Sequence, residues 1–274
     1  MADKRRMIFD VKTIFLILVT GILPTIIWLL FWLEEDRKNP EPKNLLVRGF
    51  ILGGLAVILA FYFEQLAIRF LGPFSSPAFD LALSLPTLRF IALEIPLLLS
   101  WAFIEEVAKY LVASVGLFTN KNFDEPIDAM IYMITVALGF SAFENSLFLV
   151  NTLLNGNDQI YFLMTGNLRF LGATVLHLVS SALVGSAIAL AFCARTWVKT
   201  IVITLGIIGA TLLHALFNFF IIINNGENIL GVLLLLWLGA FFVIYLFERA
   251  KVVVCGNNFV TLFLKAKNNT NAKR

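Results

Sequence analysis

The sequence predicts an all-α fold, a polytopic transmembrane bundle of about seven helices with a short interfacial segment before the third. Three observations carry that prediction. Hydrophobic residues fill 59% of the 274 positions and charged residues only 14%, about half the charged share of a soluble domain. Apolar runs of the roughly 20 residues needed to cross a bilayer recur along the whole chain. The breaks between them are short and polar, which leaves a single integral membrane domain over 1–274.

The elements follow in order. Lys4, Arg5 and Arg6 precede the first apolar run, as in a signal peptide, but that run is too long and ends in Trp-Leu-Glu-Glu without a small-residue cleavage site. It reads as a retained helix over 12–33. Helix 2, over 49–70, follows a polar break with two prolines, and the stretch 71–95, with prolines at 73, 77 and 86, reads as the interfacial segment. Helix 3 is expected to start just after Pro96 and to run over 97–118, since proline suits a first helical turn. Helix 4 spans 126–153, with Asp128 offsetting the dipole of its first turn. Helices 5, 6 and 7 are placed at 168–193, 198–222 and 229–247, and there is no internal repeat.

This order sets Arg37, Lys38, Lys43, Arg48, Lys121, Arg195, Lys199, Arg249, Lys251 and the C-terminal lysines and arginine on one side, thirteen cations against seven on the other. Basic loops stay in the cytoplasm, so the C-terminus is expected to be cytoplasmic and the N-terminus outside. The basic N-terminus pulls the other way, but the outer loops 151–168 and 224–228 carry no cation. Cys193 and Cys255 then lie on the reducing side, and no disulfide is expected. The net charge of +3 forms no stripe interleaved with aromatics, which excludes a nucleic-acid partner and leaves the lipid bilayer as the surrounding phase.

An ionisable group in the hydrocarbon core costs on the order of 3 kcal/mol, so each one needs a partner or a task. Helix 3 carries Glu105, Glu106 and Lys109; the lysine stands four and three residues after the two acids and can pair with either. If one acid is held in that pair, the other is free to act as a base. Helix 4 adds Glu144 and Asn145, helix 5 adds His177, and helix 6 adds His214 with Asn218 one turn on. Those two histidines are the only ones in the chain. Counted from the expected outer helix ends at about 1.5 Å per residue, Glu144, His177 and His214 fall at one depth, and Glu105 joins them if helix 3 starts after Pro96. A lone intramembrane His or Asn commonly just bonds a neighbouring helix, and Glu105–Lys109 alone could be a structural pair. Three acids and both histidines at one depth are hard to explain as packing. Glu64 and Arg69, near the end of helix 2, are read as snorkelling or locally paired.

With these residues in view, the chain resembles the PrsW family of intramembrane proteases, within the clan of the CAAX prenyl proteases and bacteriocin-processing enzymes. Glu105-Glu106-Val-Ala-Lys109 is similar to the family's EExxK motif, and Gly139-Phe-Ser-Ala-Phe143-Glu144-Asn145 to its Gly-Phe…Glu-Asn helix. His177 with its small-residue run, and Leu213-His214-Ala-Leu-Phe-Asn218, continue the likeness, as does Glu41-Pro42. Glu144 stands where the prenyl-protease branch carries a histidine. The resemblance implies membrane-embedded peptide hydrolysis in a prokaryotic plasma membrane, with membrane-associated peptides or single-span proteins such as anti-sigma factors as substrates.

Peptide hydrolysis needs an activated water and a stabilised oxyanion. The expectation is a Glu105 or Glu106 base, Glu144 and His177 positioning the water, and His214 and Asn218 donating to the oxyanion near the extracytoplasmic face. Lys109 and Asn145 give structural support. Glu106, Glu144, His177 and His214 could also hold zinc with one open position, although the chain has no HExxH helix. The alternative is a proton- or cation-coupled transporter using the same groups as a relay, for which repeats and paired broken helices are missing. A scaffold role comes third.

Overall fold

The computed structural model describes residues 11–34, 39–71, 86–154, 159–223, 229–253 and 255. They form seven helices and no strand. These are α1 (Val11–Leu33), α2 (Lys43–Leu71), α3 (Pro86–Gly116), α4 (Asp128–Leu154), α5, α6 (Thr196–Ile223) and α7 (Ile229–Ala250). Helix α5 is compound: Gln159–Leu168, a π-helical turn at Arg169–Ala173, then Thr174–Leu190. Six of the seven contain a stretch long and apolar enough to cross a membrane. The remaining one, α3, is 31 residues long and carries the Glu105, Glu106 and Lys109 charges. The chain is an integral membrane protein.

Burial separates the helices into a centre and a rim. The spans in α4 and α5 are 67% and 83% buried, against 17–22% for those in α1, α6 and α7, whose remaining faces are apolar and suited to lipid. Side chains from Asp128 to Ala142 are buried without interruption, which an amphipathic surface helix could not show. Backbone contact explains how α4 gets so deep. A Cβ on Gly53 would lie 2.0 Å from the carbonyl oxygen of Val136, and one on Gly139 would lie 2.0 Å from that of Phe50. Small residues therefore set the α2–α4 crossing, the usual device where lipid tails give no hydrophobic drive between helices. On the rim, Trp32 of α1 stacks on Phe247 of α7 at 4.9 Å.

Three expectations change, and a fourth gains a second role. Helix α3 begins at Pro86 instead of after Pro96, so Pro96 lies inside it and 86–95 belongs to the helix; the rest of the interfacial segment, 72–85, lies outside the described residues. A proline removes one backbone hydrogen bond, and membrane helices accommodate that loss among their neighbours. Helix α5 begins at Gln159, which turns most of the expected outer loop 151–168 into helix. Asp128 is buried and its Oδ2 accepts the backbone N–H groups of Asp124 and Glu125 at 3.0 and 2.7 Å, closing the turn that enters α4. It also stands in the first turn of α4, as expected. Finally, Cys193 and Cys255 are joined in a disulfide with Cα atoms 5.2 Å apart. The bond follows from packing: α5 and α7 lie against each other, and each cysteine comes just after the end of its helix.

Candidate active site

Four helices place their polar residues into one buried network. Helix α3 supplies Glu105, Glu106 and Lys109, α4 supplies Glu144 and Asn145, α5 supplies Arg169, His177, Ser180 and Ser181, and α6 supplies His214. Adjacent residues on a helix diverge by about 100°, so Glu105 and Glu106 face different neighbours and acquire different roles.

Glu106 is fully buried and saturated. Its Oε1 accepts from Lys109 Nζ at 2.7 Å, Ser180 Oγ at 2.8 Å and His214 Nδ1 at 2.9 Å, and its Oε2 accepts from Ser181 Oγ at 3.2 Å. Glu105 is the opposite case. Its Oε2 is buried and makes no hydrogen bond among the described residues. Lys109 thus pairs with one of its two candidate acids, Glu106, and spends its second contact on His177 Nδ1 at 3.1 Å.

The tautomers of both imidazoles follow from their partners. An ammonium only donates, so His177 Nδ1 accepts from Lys109 and its Nε2–H donates to Glu144 Oε2 at 2.9 Å. A carboxylate only accepts, so His214 donates from Nδ1 to Glu106 and keeps its Nε2 lone pair. That lone pair lies 3.8 Å from Glu105 Oε2, and His177 Nδ1 lies 3.7 Å from the same oxygen. The two rings meet edge to face with centroids 5.1 Å apart.

Glu105, His177 and His214 each offer a ligand atom, and the three atoms lie within 4.8 Å of one another. In tetrahedral zinc with bonds near 2.0–2.1 Å, ligand atoms are about 3.3 Å apart, so closing this trio shortens its separations by up to about 1.5 Å, shared between two side chains. The donor set fits a metal on two further counts. One buried carboxylate oxygen has no hydrogen-bond partner among the described residues. Each imidazole is also held from behind by a carboxylate, the arrangement that orients metal-bound histidines. Lys109 near His177 Nδ1 competes for that lone pair, but it already has Glu106 to turn to.

The network therefore gathers Glu105, Glu106, Glu144, His177 and His214, with Lys109 and Asn145 beside them. Glu106 and Glu144, expected as direct metal ligands, sit on the far nitrogens of the two rings, and Glu105 takes the place facing both. Asn218 is half-buried one turn beyond His214 and makes no side-chain hydrogen bond among the described residues. Counting from helix ends does not put the groups at one depth. His177 is eighteen residues into α5 and Glu105 nineteen into α3, whereas Glu144 and His214 lie ten and nine from their ends.

Sequence reading missed several members. Arg169, counted only as an outer cation, bonds Glu144 Oε2 at 2.5 Å and Asn145 Oδ1 at 2.6 Å. Ser180 and Ser181, three and four residues after His177, were legible only as small residues, although that spacing returns them to the same side of the helix. Thr174 and Ser141 complete the amide side of Asn145 at 3.0 and 3.2 Å. An apolar groove of about 280 Å³ opens between α3 and α6, lined by Leu98 and Leu99 on one side and Leu212, Leu216 and Phe219 on the other.

A family model described as PrsW family intramembrane metalloprotease matches residues 41–246. The chain is similar to Protease PrsW of Bacillus subtilis (strain 168), 23% identical over 205 residues, which cover 75% of this chain and 82% of that protein. It is 28% identical to Protease PrsW of Oceanobacillus iheyensis over 203 residues, 74% of this chain and 81% of that one. With Protease PrsW of Geobacillus kaustophilus it shares 28% identity over 136 residues, and that match spans 50% of this chain and 53%, about half, of the relative. No solved structure matches.

Proposed function

Since the chain belongs to the PrsW family of intramembrane metalloproteases, we propose that it hydrolyses peptide bonds of membrane-embedded or membrane-associated proteins at Glu105, His177 and His214. One observation carries this reading: two imidazoles converge on a buried carboxylate oxygen that has no hydrogen-bond partner among the described residues. A structural ion-pair network would have no reason to leave that oxygen unpaired at a cost of about 1–3 kcal/mol.

Of the two adjacent acids, Glu105 is the one able to receive a proton, because four donors already occupy Glu106. Water seated in the pocket faced by Glu105, His177 and His214 would give its proton to the Glu105 carboxylate, through whichever of its two oxygens holds no metal, and its electron pair to the scissile carbonyl carbon. The proton then passes to the departing amine. Asn218, one turn from His214 and without a side-chain hydrogen bond among the described residues, would donate its amide N–H to the oxyanion. Glu106 and Glu144 keep the two rings aimed. Zinc, held by Glu105, His177 and His214, would supply an acidified water and a polarised carbonyl. The α3–α6 groove, on the helices that carry Glu105 and His214, offers an apolar approach for a substrate segment from the bilayer. Single-span proteins of the anti-sigma-factor kind are the substrate class we place there. Transport is not favoured, since the relatives are named as proteases.

The test is cleavage of a single-span reporter by purified protein, before and after chelation. Chelation is expected to remove at least nine-tenths of the activity and one equivalent of zinc to restore it. Full cleavage by metal-free protein would refute the metal assignment, and intact reporter under all conditions would refute hydrolysis.

The cation bias places the C-terminus in the cytoplasm, whereas a disulfide at Cys193–Cys255 suits an oxidising compartment. We favour the cytoplasmic placement, because thirteen charges would have to cross otherwise. A tag after Arg274 should then be digested in inverted vesicles and protected in intact cells; the reverse pattern would reject this orientation.

A further inference from the structure

Arg169 lies outside the residues to which the preceding reading gives a role, yet it is tied into the network by two short bonds. Its Nη2 donates to Glu144 Oε2 at 2.5 Å and its Nε to Asn145 Oδ1 at 2.6 Å, and the guanidinium lies over the Phe148 ring at 3.8 Å. Three residues of α4, one turn apart or less, therefore grip one planar group from α5. The oxygen it holds, Glu144 Oε2, is the oxygen that accepts Nε2–H of His177.

The backbone accounts for how this is possible. Arg169 and His177 are eight residues apart, which in an unbroken α-helix leaves them about 80° apart around the axis. The π-helical turn at Arg169–Ala173 absorbs one extra residue. That reduces the offset to about 20° and returns both side chains to the face opposite Glu144. Such turns concentrate at functional sites because they re-aim a side chain without ending the helix.

Building on the hydrolytic reading, we propose that Arg169, delivered by the π-turn, is a positioning residue that fixes the Glu144 carboxylate and through it the tautomer and orientation of His177. Lys109 holds the ring from Nδ1 and the Arg169–Glu144 pair holds it from Nε2. With the guanidinium removed, Glu144, a fifth of whose side chain is exposed, is free to leave the ring, and Nδ1 is no longer presented toward Glu105.

The chain has two histidines, so 15N-histidine NMR of the full-length protein reads both rings directly, with His214 as the internal control. In Arg169→Met the His177 ring resonances should shift and broaden while those of His214 stay in place, and zinc affinity should fall 10–100-fold. Arg169→Lys keeps the charge but loses the planar fork that reaches Glu144 and Asn145 from two separate nitrogens, and should recover part of both effects. Unchanged His177 resonances in folded Arg169→Met overturn the proposal. If that variant does not fold, unchanged resonances in Arg169→Lys overturn it equally. A wild-type protein that binds no zinc and cleaves nothing would defeat the hydrolytic reading, whereas the dependence of His177 on Arg169 is decided by the spectra alone.

Discussion

Glu105→Gln is expected to lower peptide cleavage by on the order of 10²–10⁴-fold while leaving the thermal midpoint in detergent close to that of the wild type. Both halves follow from one fact: Glu105 Oε2 is buried without a hydrogen bond among the described residues. An amide in its place gives up no intramolecular bond at that atom, so the helices keep their packing. It cannot take a proton from water, and as a neutral oxygen it binds a metal weakly. The measurement is initial cleavage rate together with zinc content and thermal unfolding. A Gln variant that cleaves at the wild-type rate would remove Glu105 from the chemistry.

Lys109→Met reverses that pattern, with the larger cost falling on stability. Lys109 and Glu106 are both fully buried and 2.7 Å apart, and Phe140 lies 4.8 Å beneath the ammonium. Removing one partner of such a pair leaves an uncompensated charge and costs about 3–5 kcal/mol. His214, Ser180 and Ser181 still donate to Glu106, which places the expectation at the lower end of that range. The double variant Lys109→Met/Glu106→Gln should regain part of the loss, because it removes the orphaned charge along with its partner. Thermal unfolding of the two single variants and the double variant reads the coupling directly. A Lys109→Met protein as stable as the wild type would mean that the pair contributes nothing to the bundle.

These opposite outcomes arise within five residues of one helix, and the sequence shows how far they could be anticipated. The pattern Glu105-Glu106-x-x-Lys109 states that a cation can reach either acid. It does not state which. The choice falls to Glu106 because α5 brings Ser180 and Ser181 to that side and α6 brings His214 Nδ1. Membership of His177, His214 and Glu144 in one site was legible because a lone ionisable group in an apolar run is costly enough to need a reason. Their common depth was not legible from helix ends, since Pro86 and Gln159 start α3 and α5 well before the positions that polar breaks suggested. Arg169 escaped notice because a π-turn has no residue signature: with the periodicity of an ordinary α-helix it points elsewhere.

What the sequence by itself determined is the bundle and its inventory of buried charge. Both follow from one-dimensional quantities, namely run length, apolar content and the energetic cost of each ionisable residue in hydrocarbon. What only the tertiary structure decided is pairing: Lys109 with Glu106, Arg169 with Glu144, Cys193 with Cys255, and Glu105 left facing two imidazoles. Pairing depends on helix rotation and on where backbones touch, and those are set by Gly53 and Gly139 at the α2–α4 crossing and by one extra residue in α5. Each is a local feature with no sequence-level energy of its own until a neighbouring helix is in contact.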